Sequence, residues 1–216
     1  MEHQFWHERW QKREIGFHRH DVHPLLTAHL PAIATPGATV FLPLCGKSLD
    51  MHWLLEQGCS VIGVELSEMA IKEFFTEHNL PYEVEKEGPF MVYRAEGLCI
   101  YQGDFFELSA AHLQTISAWY DRAAMVALPA PMRTKYAAHL QEILPATAKG
   151  LLVMVEYPEG YWKGPPFAVA TNEIRASYQA SYAIEILPLL PGFTLGGDTN
   201  VTERGYILSP QTAVQN

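Results

Sequence analysis

The sequence predicts an α/β fold: a mostly parallel seven-stranded sheet with helices on both faces. Two observations carry this expectation. From Thr39 onward, short apolar runs alternate with longer amphipathic segments, the pattern of strands joined by crossover helices. Late in the chain, "YAIEILPL" and "ERGYILSP" follow one another with no clear helix between them, which predicts an antiparallel hairpin at one edge.

Taken in order, Phe5, Trp6, Glu8, Arg9, Trp10 and Arg13 form an N-terminal helix with an aromatic stripe. A short second helix runs from about Pro24 to Leu30, its proline in the first turn, where the ring is tolerated. "TVFLPL" is an apolar strand, and "KSLDMHWLLEQG" a helix stopped by Gly58. "SVIGVEL" is a buried strand. Ser67 caps the next helix, whose Ala70, Ile71, Phe74 and Phe75 share one face. Met91 to Arg94 reads as an antiparallel excursion and Leu98 to Gln102 as a strand. "ISAWYDR" and "GLLVMVEY" are further strands, separated by the helix "PMRTKYAAHLQEILP". "TNEIRASYQA" is the last helix before the closing strands.

The 216 residues show no repeat and no linker, so one domain over 1–216 is expected, large enough to bury roughly 70% of its unfolded surface. A formal charge of -9 argues against a nucleic-acid partner, because phosphate binding needs a basic face. The longest apolar runs, such as "GLLVMV", are too short to cross a bilayer, and the polar N-terminus lacks the apolar centre of a signal peptide. No membrane association is expected. Cys45, Cys59 and Cys99 are odd in number with no C-x-x-C spacing, which suits a reducing cytoplasm. No long apolar stripe calls for an obligate partner, so a monomer is expected.

In open parallel sheets, ligands bind beyond the carboxyl ends of the strands. That rule puts Leu44, Cys45 and Gly46 at the floor of a site, with Glu65 beside them at the end of the second strand. An acid there can accept hydrogen bonds from both hydroxyls of a ribose. A phosphate loop would need glycine where Phe41 stands, so "CGKS" reads as a surface lysine, Lys47, followed by a helix-capping Ser48. "LPLCGKS" also lacks the glycines that let a backbone approach a pyrophosphate. S-adenosyl-L-methionine carries an adenosine and a sulfonium but no phosphate, and the missing glycines favour it over NAD. Asp104 and Phe105, after the third of the parallel strands, suit a polar-plus-apolar pair at an adenine, or else a turn cap and a core ring. Arg122 follows a buried strand, where a guanidinium needs a carboxylate or an anionic ligand. Two readings stay open for it: an internal pair with Asp121, or contact with the cofactor's carboxylate or an anionic acceptor. The histidines at 3, 7, 18, 20, 23 and 29 lack a metal-ligand framework, so no metal is expected and an aromatic-rich lid is preferred.

The stretches "FWHERWQKREIGFH", "FLPLCGKSLDMHWLLEQGCSVIGVELS", "QGDFFEL" and "YDRAAMVALP" resemble the thiopurine S-methyltransferase family, its bacterial branch most closely, in order from about residue 5 to 208. The resemblance implies a class I S-adenosylmethionine-dependent methyltransferase fold and methyl transfer to the sulfur of thiopurines, leaving S-adenosyl-L-homocysteine. It implies a lid over about residues 1–30, with Trp6 to Phe17 matching the covering segment. Cofactor contacts fall on Trp10, Leu44, Glu65, Asp104, Phe105 and Arg122, with Arg122 also serving catalysis. Phe17 matches an aromatic position flanking the acceptor pocket, and Trp6 stands beside it. The bacterial branch is also associated with methylation of selenium and tellurium species. Some animal members place a second arginine late in the chain; here only Arg204 is offered there. The rival classes are an NAD-dependent oxidoreductase and a metalloid-binding protein using the histidine-rich end.

Overall fold

The computed structural model describes residues 3–189 and 197–211. Helices α1 (His3–Gln11) and α2 (Pro24–Ile33) precede the first strand. The alternating section holds β1 (Thr39–Leu42), α3 (Leu49–Glu56), β2 (Ser60–Glu65) and α4 (Glu68–Glu77). Then come β3 (Glu83–Glu87), β4 (Phe90–Ala95), β5 (Leu98–Gln102) and β6 (Ala118–Arg122). Helix α5 (Ala130–Ile143), β7 (Lys149–Glu156), α6 (Thr171–Tyr178), β8 (Tyr182–Ile186) and β9 (Thr202–Pro210) complete the fold.

Among the described residues the sheet has nine strands, ordered β3-β4-β5-β2-β1-β6-β7-β9-β8. This corrects the expectation of seven. The central β5-β2-β1-β6-β7 is parallel, and antiparallel pairs extend both edges rather than one. Strand β3, "EVEKE", is exposed along almost its whole length. A charged edge strand carries no apolar alternation to read, and its charges discourage pairing with another chain.

The central strands are apolar because both their faces are covered: Val40, Phe41 and Leu42 of β1 are buried. On one face α2, α3 and α4 contribute Leu26, Met51, Leu54, Ile71, Phe74 and Phe75 to a core. On the other, Tyr136, Leu140 and Ile143 of α5 and Ile174 and Tyr178 of α6 form a second. The Ser67 side chain accepts from Ala70 N at 3.3 Å, capping α4 as expected. Helix α2 runs through Pro31 to Ile33, a turn beyond the expected end.

Strand order reverses between β1 and β6: from β1 the chain moves to β2 and then β5, whereas β6 leads to β7 on the opposite side. Crevices form at such a switch point. The loops leaving β1 and β6 therefore border one cavity.

Candidate functional site

A cavity of about 980 Å³ lies over the carboxyl ends of the parallel strands. Small-molecule sites span roughly 300–1,000 Å³, so this volume lies at the upper end of that range. Its floor is the loop after β1, where Leu44, Cys45, Gly46, Lys47 and Ser48 all line the space. Leu44 has φ 46° and, at the end of β6, Ala123 has φ 62°. Neither is glycine, and left-handed backbone at such residues costs of order 1–3 kcal/mol each and gathers at functional sites.

Glu65, 6% exposed at the end of β2, ties this floor together. Its Oε2 accepts from Gly46 N at 2.8 Å and its Oε1 from Ser67 N at 2.7 Å. Burial raises its pKa, while those backbone donors hold it down. A carboxylate has about four lone-pair positions; the backbone N–H groups of Gly46, Ser67 and Leu66 draw on part of this capacity, and the rest is open to a ligand diol.

The N-terminal segment closes the roof. Trp10, 2% exposed, lies so close to the floor that a Cβ on Gly46 would meet its Cζ2 at 3.3 Å. Phe17 packs edge-on to both Trp10 and Trp6, at 5.7 and 6.0 Å between ring centroids. Trp6, Trp10 and Phe17 all line the cavity. Two polar contacts hold the segment: His3 Nε2 lies 3.0 Å from Asp104 Oδ2, and Arg13 forms an ion pair with Glu73 of α4.

Arg122 ends β6 and reaches under the lid, its Nη1 donating to Phe17 O at 2.7 Å. Its Nε is buried and has no hydrogen-bond partner among the described residues, leaving a donor for an anionic ligand. The alternative pairing with Asp121 does not form, because consecutive strand residues face opposite sides of the sheet. Asp121 instead accepts from Met125 N at 3.1 Å and Tyr136 Oη at 2.7 Å. Its complete burial, against those two donors, pushes its pKa up to about 6.

Asp104 and Phe105 both line the cavity. Asp104 Oδ1 also caps the short turn after β5 by accepting from Phe106 N at 2.9 Å. Phe105, 2% exposed, packs on Tyr136 at 4.9 Å, so it is a core ring and a wall at once. Lys47 is not on the surface: it is 8% exposed and paired with Glu73 at 3.0 Å and Glu77 at 2.5 Å on α4. Ser48 caps α3 as expected, accepting from Asp50 N at 3.3 Å. Arg204 is absent from the lining; its Nε donates to both oxygens of Glu156, at 2.8 and 2.9 Å.

Sequence reasoning missed several lining residues. Val153 and Val155 come from β7, Glu203 from β9, and Tyr161, Trp162 and Lys163 from the loop after β7. Tyr161 Oη donates to Asp198 Oδ2 at 3.0 Å, tying that loop to the turn before β9. The signal for Glu203 was present: it is the lone acid on a strand parity shared with Val201, Gly205 and Ile207. Among the described residues no group of three His, Cys, Asp or Glu side chains could hold a metal. His23 from the histidine-rich stretch is instead fully buried and caps α2.

A family model described as thiopurine S-methyltransferase matches residues 1–189. The chain is 47% identical to a thiopurine S-methyltransferase of Pseudomonas aeruginosa (strain UCBPP-PA14) over 206 residues, 95% of this chain and 94% of that one. It is 47% identical to one from Shewanella putrefaciens over 188 residues, covering 87% and 86%. Among solved structures it is similar to the Burkholderia thailandensis 1,6-didemethyltoxoflavin-N1-methyltransferase, with bound 1,6-didemethyltoxoflavin and S-adenosylhomocysteine. That match has a TM-score of 0.61 at 13% identity, over 97% of this chain and 87% of that one, and bears on the fold alone.

Proposed function

The chain belongs to the thiopurine S-methyltransferase family, and on that premise we propose how its cavity carries out S-adenosylmethionine-dependent methyl transfer to thiopurine sulfur. The fold is that of the class I methyltransferases, and the oxidoreductase and metalloid-binding readings are set aside. The observation that carries the site reading is Glu65, a buried acid at the end of β2 with lone pairs left over after bonding Gly46 and Ser67. It is the receptor for the ribose hydroxyls. Asp104 and Phe105 meet the adenine, Leu44 supports the nucleoside from the floor, and Trp10 covers it. The unpartnered Nε of Arg122 meets the cofactor's carboxylate or an anionic acceptor. Phe17 and Trp6 flank the acceptor ring.

S-adenosylmethionine supplies an electrophilic methyl group on a sulfonium. The chain's residues supply alignment: holding two reactants in a near-attack pose lowers a barrier by roughly 7–11 kcal/mol. An aromatic thione loses its proton near neutral pH, so no dedicated base is needed. Arg122 favours the ionised acceptor, since an opposite charge stabilises it. The packed rings of the lid exclude water.

The same cationic pole suits small selenium or tellurium anions as further acceptors. A single domain acting as a cytoplasmic monomer completes the reading; no helix among the described residues is long and apolar enough to cross a membrane. The test is an acceptor screen with labelled methyl donor, run alongside calorimetry with S-adenosylhomocysteine. Methylated thiopurine and saturable binding are expected. Binding without transfer to thiopurines, selenite or tellurite would overturn the acceptor assignment, and absent binding the cofactor site.

A further inference from the structure

Helix α1 ends in a turn that favours glycine and holds Arg13 instead. Arg13 N donates to Trp10 O at 3.2 Å and Glu14 N to Arg9 O at 2.9 Å, the paired bonds of a left-handed helix stop. Arg13 takes the left-handed position, with φ 58°, a conformation that strains any residue with a Cβ. Glycine would serve the backbone better there, so the arginine side chain has to contribute something glycine cannot. That side chain leaves the N-terminal segment for α4, where it forms an ion pair with Glu73 Oε1.

Glu73 has a second partner. Its side chain is 19% exposed, and its other oxygen, Oε2, lies 3.0 Å from Lys47 Nζ. Glu77 stands four residues further along the same face of α4, and Lys47 Nζ donates to its Oε1 at 2.5 Å. Burial raises the Glu73 pKa, but Lys47 and Arg13 more than offset this and leave it lowered. The carboxylate is thus an anion between two cations. His18, later in the N-terminal segment, is within electrostatic range of Lys47 and Glu77 as well. Together the contacts close a ring. Lys47 follows Gly46, Gly46 lies against Trp10, Trp10 O accepts from Arg13 N, and Arg13 returns to Lys47 through Glu73. Floor and roof therefore meet twice: at Trp10 inside the cavity, and at Glu73, which is absent from the lining, outside it.

We propose that Glu73 is a positioning residue for methyl transfer: it seats the lid over the bound cofactor by bridging Arg13 of the lid to Lys47 of the floor. It touches neither reactant. The inference rests on the reading of the cavity as a cofactor site, and goes beyond it by assigning cofactor retention to an ion pair outside the cavity. Trp10 rests on the floor loop, so lifting α1 uncovers the site, and lifting α1 breaks the Arg13–Glu73 pair. Glu77 continues to neutralise Lys47 when that happens, so the floor keeps its buried cation paired with the lid open or shut. The Arg13 side chain is 60% exposed, and ion pairs at such a solvated edge are individually weak. That suits a contact that must open at every turnover.

The test measures S-adenosylhomocysteine affinity by calorimetry, and its release by stopped-flow tryptophan emission, in wild type, Arg13→Gly, Glu73→Gln and the double variant. Arg13→Gly relieves the left-handed backbone, so its Tm should equal or exceed that of wild type. Its affinity should nonetheless fall roughly 2- to 5-fold, with release faster by as much. Glu73→Gln should show the same loss, and the double variant no more than either single one, because both changes remove one interaction. At saturating cofactor the lid is seated again, so in turnover the loss should appear in KM for S-adenosylmethionine and not in kcat. Unchanged affinity in Arg13→Gly, or losses that multiply in the double variant, would overturn the inference. So would a lowered Tm with affinity intact, the mark of a merely structural pair. Should Glu73→Gln fail to fold, wild type and Arg13→Gly suffice. Added salt screens the pair, so it should weaken S-adenosylhomocysteine binding in wild type and have less effect in Arg13→Gly; equal salt dependence refutes the role. Absence of saturable binding in wild type would instead overturn the cofactor site itself.

Discussion

Arg122 Nη1 donates to the carbonyl oxygen of Phe17 at 2.7 Å, joining the end of a central strand to the last aromatic residue of the lid. The contact spans 105 residues of sequence. One guanidinium thereby positions the cover and presents its remaining donors to the cavity.

Arg122→Lys keeps the charge but loses the planar fork. A single ammonium cannot hold Phe17 O and present the donor geometry of Nε at once. Turnover of a thiopurine is expected to fall roughly 10- to 100-fold, the loss of one charged hydrogen bond. Steady-state kinetics check this, and unchanged kcat/KM would remove Arg122 from the mechanism.

Glu65→Ala should weaken S-adenosylmethionine binding by about 1.5–3 kcal/mol. Glu65→Gln is expected to be damaging as well, because both oxygens accept from backbone N–H groups. An amide would turn its NH₂ toward either Gly46 N or Ser67 N, donor against donor. Calorimetry with the cofactor and a melting curve for each variant separate the binding loss from the loop's own destabilisation, about 1–3 kcal/mol for one unsatisfied group.

Gly46→Ala tests the contact between floor and lid. The glycine has φ 54°, and an added Cβ would meet Trp10 Cζ2 at 3.3 Å. Left-handed backbone disfavours alanine by about 1 kcal/mol, and Trp10 must also shift. A lower Tm, altered tryptophan emission and weaker S-adenosylhomocysteine binding are expected together. Unaltered emission would show that Trp10 does not rest on the floor in solution.

Asp121 predicts a pH dependence. Its pKa is raised from 3.8 to about 6 by burial, so between those values the folded state holds a proton that the unfolded state has lost. Its contribution to stability is full below pH about 4 and is lost as pH rises through about 6. At 1.36 kcal/mol per pKa unit, the swing is about 3 kcal/mol. Asp121→Asn can still accept from Met125 N while its NH₂ donates to Tyr136 Oη. The difference in Tm between variant and wild type should therefore change in the variant's favour from pH 4 to 7; a difference independent of pH would exclude this ionisation.

Much of the site was legible because the position rule for parallel sheets needs only the ends of apolar runs. Leu44, Glu65, Asp104 and Arg122 each follow such a run, and each lines the cavity. Trp6, Trp10 and Phe17 depended on the family resemblance, since nothing in a helical stripe says what it covers. The same residue logic failed at Lys47, where a polar type suggested exposure and ion pairs with Glu73 and Glu77 permit burial. It left Arg204 undecided, one position from the cavity-lining Glu203, because strand parity cannot be judged before register is known.

By itself, the sequence determined the alternation of elements, the floor after β1, the absence of a phosphate loop and the acid that ends β2. These are local properties, set by hydrophobic period and by residues adjacent in the chain. Only the tertiary structure decided that Arg122 serves the lid while Asp121 turns to Tyr136, and that Glu203 faces the cavity while Arg204 turns to Glu156. Those outcomes depend on which side of the sheet each side chain leaves, and on which distant strand lies beside it. In β-strands a one-residue shift exchanges the two faces, so pairing across the sheet, not residue type, chose the members of the site.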